Sequence, residues 1–193
     1  CPLTKKQSIN LNGLAVTAIK NANNNLLYVG TNKGLYKLEK NKIIHIVQIG
    51  KRKINCIYKH INNEIYIGTD GGGLNIFNKK TGFIKRFVLN GPNGMVKAIL
   101  TLERSGNDLW VGTYSDGLYA INMFTHTVKH FEISKSETDR SNIPIMCLKA
   151  DSEGNIWIGS NGNGIYMYNL KMGNILHFDK ILPQKATRNL LLN

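Results

Sequence analysis

Acidic side chains are scarce in this chain of 193 residues: 12 Asp and Glu stand against 25 Lys and Arg, for a formal net charge of +13. So basic a chain is drawn to acidic partners such as polysaccharide, nucleic acid or an anionic surface. Long apolar runs are missing too. None approaches the ~20 residues of a membrane-spanning helix, and no secretory leader is visible, so the chain reads as soluble, with a leader removed or as an internal piece of a larger protein. No HExxH, CxxC pair, P-loop or Ser/His/Asp constellation occurs, and the five His fall into no ligand spacing. The sequence therefore reads as a non-enzyme with no catalytic residue, metal or cofactor. What remains is ordinary globular composition, 42% hydrophobic, enough for a substantial core.

What the chain does have is a phrase stated four times: LYVGTNKGLY from Leu27, IYIGTDGGGLN from Ile65, LWVGTYSDGLY from Leu109 and IWIGSNGNGIY from Ile156. The leading glycines, Gly30, Gly68, Gly112 and Gly159, are 38, 44 and 47 residues apart. Periods of that size signal arrays of small sheet-built units, propeller blades above all. A ring stands two residues before each leading glycine (Tyr28, Tyr66, Trp110, Trp157), and a second glycine follows it (Gly34, Gly73, Gly117, Gly164). In the last three units that second glycine is followed by Asn78, Asn122 or Asn169, then by Phe87, Phe131 or Phe178. The first unit departs from the pattern, with Glu39 in the Asn slot and Ile46 in place of the Phe, and reads as a degenerate or edge copy.

Within each unit, apolar and β-branched runs alternate with Asn, Asp, Gly and Lys clusters, which predicts an antiparallel meander of four strands. The second strands are apolar on both sides, so both faces of each sheet must be covered, and blades stacked side by side would do this. The rings would wedge between neighbouring blades. Gly at the strand end suits a positive φ or a close backbone approach. The fourth strands interleave Lys, Arg and His with apolar residues, as a solvated outer edge does; His130 and His177 read as exposed edge residues in the slot that Arg86 holds in the second unit.

The fold class is thus all-β, four blades of a larger propeller of the seven-bladed type, over approximately 14–49, 50–92, 93–138 and 139–182. Residues 1–13 read as an outer strand left from a preceding blade, and 187–193 as the start of a further one. The alternative is a small closed propeller whose N-terminal strand completes the last blade.

Other features are absorbed by the repeat. Cys56 and Cys147 stand twelve residues before their leading glycines, a slot held by Ala18 in the first unit and, allowing for a longer turn, by Ala98 in the third. A small side chain is needed there, and a disulfide between Cys56 and Cys147 is not expected, since units two and four are not neighbours. Cys1 is a lipidated first residue or an arbitrary start. The TDGGGLN glycines lie between strands and open no helix, unlike a phosphate loop. Asp151 to Gly154 is a hairpin turn with too few ligands for calcium.

Charge is unevenly spread, with 16 Lys or Arg against 3 acids in residues 1–100 and 9 against 9 afterwards. Lys40, Lys42, Lys79 and Lys80 fall on third-to-fourth turns and Lys51, Arg52 and Lys53 on a unit-joining loop at the opposite rim, so the excess need not form one patch. The aromatics occupy repeat slots and leave few for base stacking, which argues against nucleic acid.

Between Leu26 and Phe178 the sequence resembles the two-component regulator propeller repeat, an Ile/Leu-Trp-Ile-Gly-Thr run followed by a Gly-Leu pair, an aromatic-Asn or aromatic-Asp turn and a closing Phe or Tyr strand. LWVGTYSDGLYAIN with Phe131 and IWIGSNGNGIYMYN with Phe178 match it best. The resemblance implies a periplasmic sensor region of a hybrid two-component regulator, lying outside an inner membrane. It would detect an oligosaccharide and pass the signal to a histidine kinase elsewhere in the parent chain. Partners would be an oligosaccharide, acidic in view of the charge, further blades and signalling domains; a homodimer stays open. The family motif describes scaffold, so ligand contacts are sought in the variable loops. Those between second and third strands offer Asn32, Lys33, Asp70, Tyr114, Asp116, Asn161 and Asn163, and the unit-joining loops offer Lys51, Arg52, Lys53 and Arg140. Amides and carboxylates suit sugar hydroxyls, Tyr114 a sugar ring, and the basic residues carboxylate or sulfate. Competing readings are a protein-interaction scaffold without a small ligand, and a propeller lyase or quinoprotein-type enzyme.

Overall fold

The computed structural model describes residues 13–23, 26–39, 42–60, 63–92, 94–134 and 142–178. The strands expected over 1–13 and 187–193 lie outside these residues, Gly13 apart, as do Cys1, Lys40 and Arg140.

Four antiparallel meanders follow one another along the chain. The first blade holds β1 (Val16–Asn23), β2 (Leu26–Thr31), β3 (Gly34–Glu39) and β4 (Lys42–Ile46), followed by a short 3-10 turn, Val47–Ile49. The second holds β5 (Ile54–Lys59), β6 (Glu64–Thr69), β7 (Gly73–Asn78) and β8 (Ile84–Phe87). A small hairpin of β9 (Asn90–Gly91) and β10 (Gly94–Met95) leads into the third, made of β11 (Ile99–Ser105), β12 (Asp108–Thr113), β13 (Leu118–Asn122) and β14 (Val128–Phe131). The fourth holds β15 (Ile145–Ala150), β16 (Ile156–Ser160), β17 (Ile165–Asn169) and β18 (Asn174–Phe178). Strand order is sequential in every sheet. Despite its divergent sequence, the first unit is a regular blade, its Gly30 paired with Ala18 as Gly68 is with Cys56. The hairpin at β9 and β10 has no counterpart in the repeat, and its Asn-Gly-Pro-Asn-Gly segment carried no periodic signal.

Inner strands β1, β5, β11 and β15 pack in succession, whereas β1 and β15 do not pack on each other in that way, so the described blades form an open arc. Period-two alternation along the second strands sorts their side chains between neighbours. Ile65 and Ile67 face the first blade, in one cluster with Tyr28 and Phe77, while Tyr66 between them faces the third, beside Leu109 and Val111. Trp110 repeats the pattern against Ile156, Ile158 and Tyr168 of the fourth. Its ring lies 4.7 Å from that of Tyr168, and Tyr28 meets Phe77 edge-on at 5.8 Å. Burying such a ring is worth about 1.5–3 kcal/mol or more, so the wedges are a main cohesive element. Trp157 breaks the expectation of four equivalent wedges: it is only half-buried, and its indole donates to Asp151 Oδ2 at 3.0 Å. No described blade follows to cover it.

The leading glycines of the first three blades are required by close approach rather than by φ. A Cβ on Gly30 would stand 2.7 Å from Ile54 Cγ2, on Gly68 2.7 Å from Ile99 Cγ2 and on Gly112 2.6 Å from Ile145 Cγ2. Each of these isoleucines opens the next blade's inner strand and is fully buried. The same contacts explain the small-residue slot, for Cys56 Sγ would lie 2.4 Å from a Cβ on Gly68. In the third blade the slot belongs to Thr101, which pairs with Gly112, and not to Ala98. Thr101 stands eleven residues before Gly112, one fewer than the slot residue of the other blades, because the β11–β12 hairpin is a residue shorter. Cys56 and Cys147 carry thiols, and burial pushes that of Cys56 up to about 12 and raises that of Cys147.

Candidate functional site

The second glycines all have positive φ: +120° at Gly34, +68° at Gly73, +78° at Gly117 and +74° at Gly164. Each closes the turn between second and third strands where an L side chain would be strained. The Thr or Ser after each leading glycine completes that turn. Thr31, Thr69, Thr113 and Ser160 are fully buried, and their hydroxyls donate to the carbonyls of Gly34, Gly73, Gly117 and Gly164 at 2.9, 2.8, 2.7 and 2.8 Å.

These turns are tied to the loops that enter each blade, so the two sets of candidate loops share one rim. The amides of Asn32, Asp70, Tyr114 and Asn161 donate to the carbonyls of Ala15, Lys53, Ala98 and Pro144 at 2.9–3.1 Å. Of the residues read as contacts, Asn32, Lys33, Lys51, Arg52, Lys53, Asp70, Tyr114 and Asn161 are exposed on this rim, Tyr114 by 58%. Asn32 also turns its side chain inward to accept from the Ala15 amide at 3.2 Å. Asp116 is buried instead; its amide donates to Thr113 Oγ1 at 2.9 Å, its carboxylate accepts from Ser115 Oγ at 3.0 Å, and it sits against Gly91 of the β9–β10 hairpin. Asn163 is half-buried, its amide donating to Ser160 Oγ at 3.2 Å and its side chain to the Tyr166 hydroxyl at 3.3 Å. Arg140 lies outside the described residues.

Three histidines stack along the outer edge, and two of them hold the turns. His45, His130 and His177 stack on Tyr36, Tyr119 and Tyr166 of the adjacent third strands, with ring centroids 4.7, 4.5 and 4.1 Å apart. His130 Nε2 then donates to the Asp116 carbonyl at 2.7 Å, and His177 Nε2 to that of Asn163 at 2.9 Å. Edge placement of His130 and His177 agrees with the sequence reading, but their reach back to the rim was missed. The signal was present, since a Tyr two residues past the second glycine recurs opposite the residue before the closing strand's last aromatic or Ile. Burial, and then the Asp116 charge, pushes the Tyr119 hydroxyl up to about 12.

The opposite rim is built by other turns. Asn78 accepts the amides of Lys80 and Thr81, Asn122 those of Phe124 and Thr125, and Asn169 that of Met172. Such side-chain closure of a tight turn is what fixes Asn in that slot, and Glu39 in the first blade stands at a shorter turn instead. On this rim a crevice of about 350 Å³ opens between the third and fourth blades, lined by Ser105, Asp108, Trp110, Glu153 and Leu170 among others. Sequence reasoning had no access to it, because it arises from the juxtaposition of two hairpins. Among the described residues no three His, Cys, Asp or Glu side chains converge as metal ligands, and no helix is long and apolar enough to cross a membrane.

The fold finds counterparts among known proteins. Over residues 139–162 the chain matches the family described as two component regulator propeller. That stretch is similar to one repeat of that family. No curated protein matches the chain by sequence. Among solved structures, the extracellular domain of a putative hybrid two component system from B. thetaiotaomicron superposes with a TM-score of 0.71 at 19% identity, over 87% of this chain and 22% of that one. The WD40 repeats of RRP9 superpose at 0.64 and 11% identity, over 88% and 52% of the two chains. The computationally designed Ika4 protein does so at 0.59 and 16%, over 85% and 98%. At these identities the likeness carries the propeller fold alone, and this chain spans about a fifth of the B. thetaiotaomicron domain.

Proposed function

We propose that this chain is a ligand-sensing segment of an extracytoplasmic propeller, part of a periplasmic two-component sensor that recognises an oligosaccharide, acidic in character, and passes the signal to a histidine kinase in the parent protein. The observation that carries the reading is the shared rim: four turns and their entry loops, joined by a repeated amide-to-carbonyl bond, present Lys51, Arg52, Lys53 and Tyr114 to solvent on a rigid scaffold. The regulator-type repeat at 139–162 and the likeness to the extracellular domain of a putative hybrid two component system support the sensor context. Further blades would complete the seven-bladed ring. Signalling would follow only if the ligand binds one arrangement of the whole sensor more tightly than another.

Thermal shift against acidic and neutral oligosaccharides tests this. A rise in melting temperature with one sugar class, abolished by Tyr114→Ala or by neutralising Lys51, Arg52 and Lys53 together, supports sensing. No shift with any sugar favours a protein-interaction scaffold instead.

A further inference from the structure

The second blade departs from the others at one place on the rim, and the departures coincide. Blades one, three and four close their outer rim with a Tyr–His pair (Tyr36–His45, Tyr119–His130, Tyr166–His177). The same register positions in blade two hold Asn75 and Arg86, which are Cα partners across β7 and β8 as Tyr119 and His130 are across β13 and β14. A ring stack is thereby replaced by a short amide and a long cation. The turn it would have covered, Asp70 to Gly73, has three successive residues without side chains, with φ of +82° at Gly71 and +68° at Gly73.

Two guanidinium groups flank this bare turn. Arg52 Nη1 donates to the Gly71 carbonyl at 3.1 Å, and its Nε lies 3.2 Å from where a Cβ on Gly72 would be. Arg86 Nη2 lies 3.4 Å from the corresponding point on Gly73. A side chain at Gly72 would collide with Arg52, whose Cδ stands 2.6 Å from that point, and with Thr69 Oγ1 at 2.5 Å. Lys51, Lys53 and Lys97 stand exposed on the adjoining loops, and Asp70 is the turn's own acid. An Arg fork spends one N–H on the Gly71 carbonyl and keeps others for a planar or tetrahedral anion.

We propose that the turn between β6 and β7 is an anion subsite that seats a carboxylate or sulfate group of an acidic oligosaccharide between Arg52 and Arg86. It rests on the sensor reading for the sugar but not for the anion. Glycines give the anion access to backbone, the two cations supply charge-assisted hydrogen bonds, and Asn75, which donates to the Gly72 and Gly73 carbonyls at 3.3 Å, fixes the turn from below.

The test uses the full chain, calorimetric titration with a uronic-acid trisaccharide, a sulfated disaccharide and inorganic sulfate, and amide NMR shifts. The expected result is binding that perturbs Gly71 to Gly73 and weakens about tenfold or more in Arg52→Gln, as loss of a charged hydrogen bond implies. The double change Asn75→Tyr with Arg86→His installs the ring pair that three blades already carry, so it keeps the fold, checked by an unchanged denaturation midpoint, and should lose binding to the same degree. The uronate and sulfate arms tell which anion the subsite prefers. Sugar binding that shifts other blades only, or is untouched in both variants, overturns the subsite while leaving the sensor reading in place. Inorganic sulfate at Gly71 to Gly73 with no response to either sugar keeps the subsite and overturns the sugar. No perturbation by any probe overturns both.

Discussion

Trp110 and Trp157 occupy the same position of the repeat and end in different surroundings. Trp110 is 97% removed from solvent, with its ring against Phe131 at 5.6 Å and Tyr168 at 4.7 Å. Trp157 has the Phe178 ring of its own blade at 5.5 Å and is tied by its indole to Asp151. The strand sequences around them, LWVG and IWIG, are nearly the same. Burial in this architecture is therefore conferred by the neighbouring blade rather than by the strand, as expected of an array whose units contact only their neighbours.

The largest expected effect exploits that contrast. Trp110→Ala opens a cavity between two blades and should cost about 3–5 kcal/mol, whereas Trp157→Ala, at a face no described blade covers, should cost about a third of that or less. Chemical denaturation of both variants measures the ratio, and equal losses would mean that the two rings are equally enclosed. Close behind comes overpacking at the blade junction. Gly112→Ala places a methyl 2.6 Å from both Ile145 Cγ2 and Thr101 Cγ2, so about 1–3 kcal/mol should be lost. Gly106→Ala on an exposed hairpin, with open space around its Cβ, should lose less and through backbone strain alone, its φ being +56°. A third effect is smaller: Thr113→Val removes a fully buried hydroxyl, losing its bond to the Gly117 carbonyl and leaving the Asp116 amide without its acceptor, for about 1–2 kcal/mol. Native Cys56, by contrast with a denatured sample, should resist thiol labelling at neutral pH, since its burial holds the thiol protonated.

How far the sequence carries the structure can be judged at particular residues. The four ring-Gly phrases place β2, β6, β12 and β16 correctly because period, apolar pattern and turn residues all agree there. The first blade shows that one such phrase outweighs a missing Asn and Phe, for hydrogen-bond register is set by Gly30 and Thr31 and not by the outer turn. Ala98 is a wrong reading of the small-residue slot, because counting residues is blind to a hairpin that is one residue shorter, as between β11 and β12. Trp157 was misjudged because the repeat encodes only half of each interface. On the rim, the exposure of Lys51 to Lys53 and Tyr114 follows from loop position, but the burial of Asp116 depends on the β9–β10 hairpin, which belongs to the joining segment of the preceding blade. The His–Tyr pairs are long in sequence separation and only the strand register brings them together.

The smallest effect is expected at the exposed side of the opening comparison, where Trp157 meets Asp151. Partial burial pushes the Asp151 carboxyl up, but hydrogen bonds from the Asn155 side chain, the Trp157 indole and the amides of Asn155 and Glu153 outweigh it and hold the group below its ordinary 3.8. A carboxylate depressed in the folded state binds protons more readily when unfolded, so its contribution is complete above pH 3.8 and fades as pH falls through the lower folded value. Denaturation midpoints of the parent should therefore drop as the pH falls below 3.8 by more than those of Asp151→Asn, which keeps the side-chain shape and lacks the titration. Indole fluorescence of Trp157 in a Trp110→Phe background should follow the same pH window. A parent and variant that lose stability in parallel would show that Trp157 is held by Phe178 rather than by the carboxylate, and would move the anchoring of the fourth blade's open face from charge to ring packing.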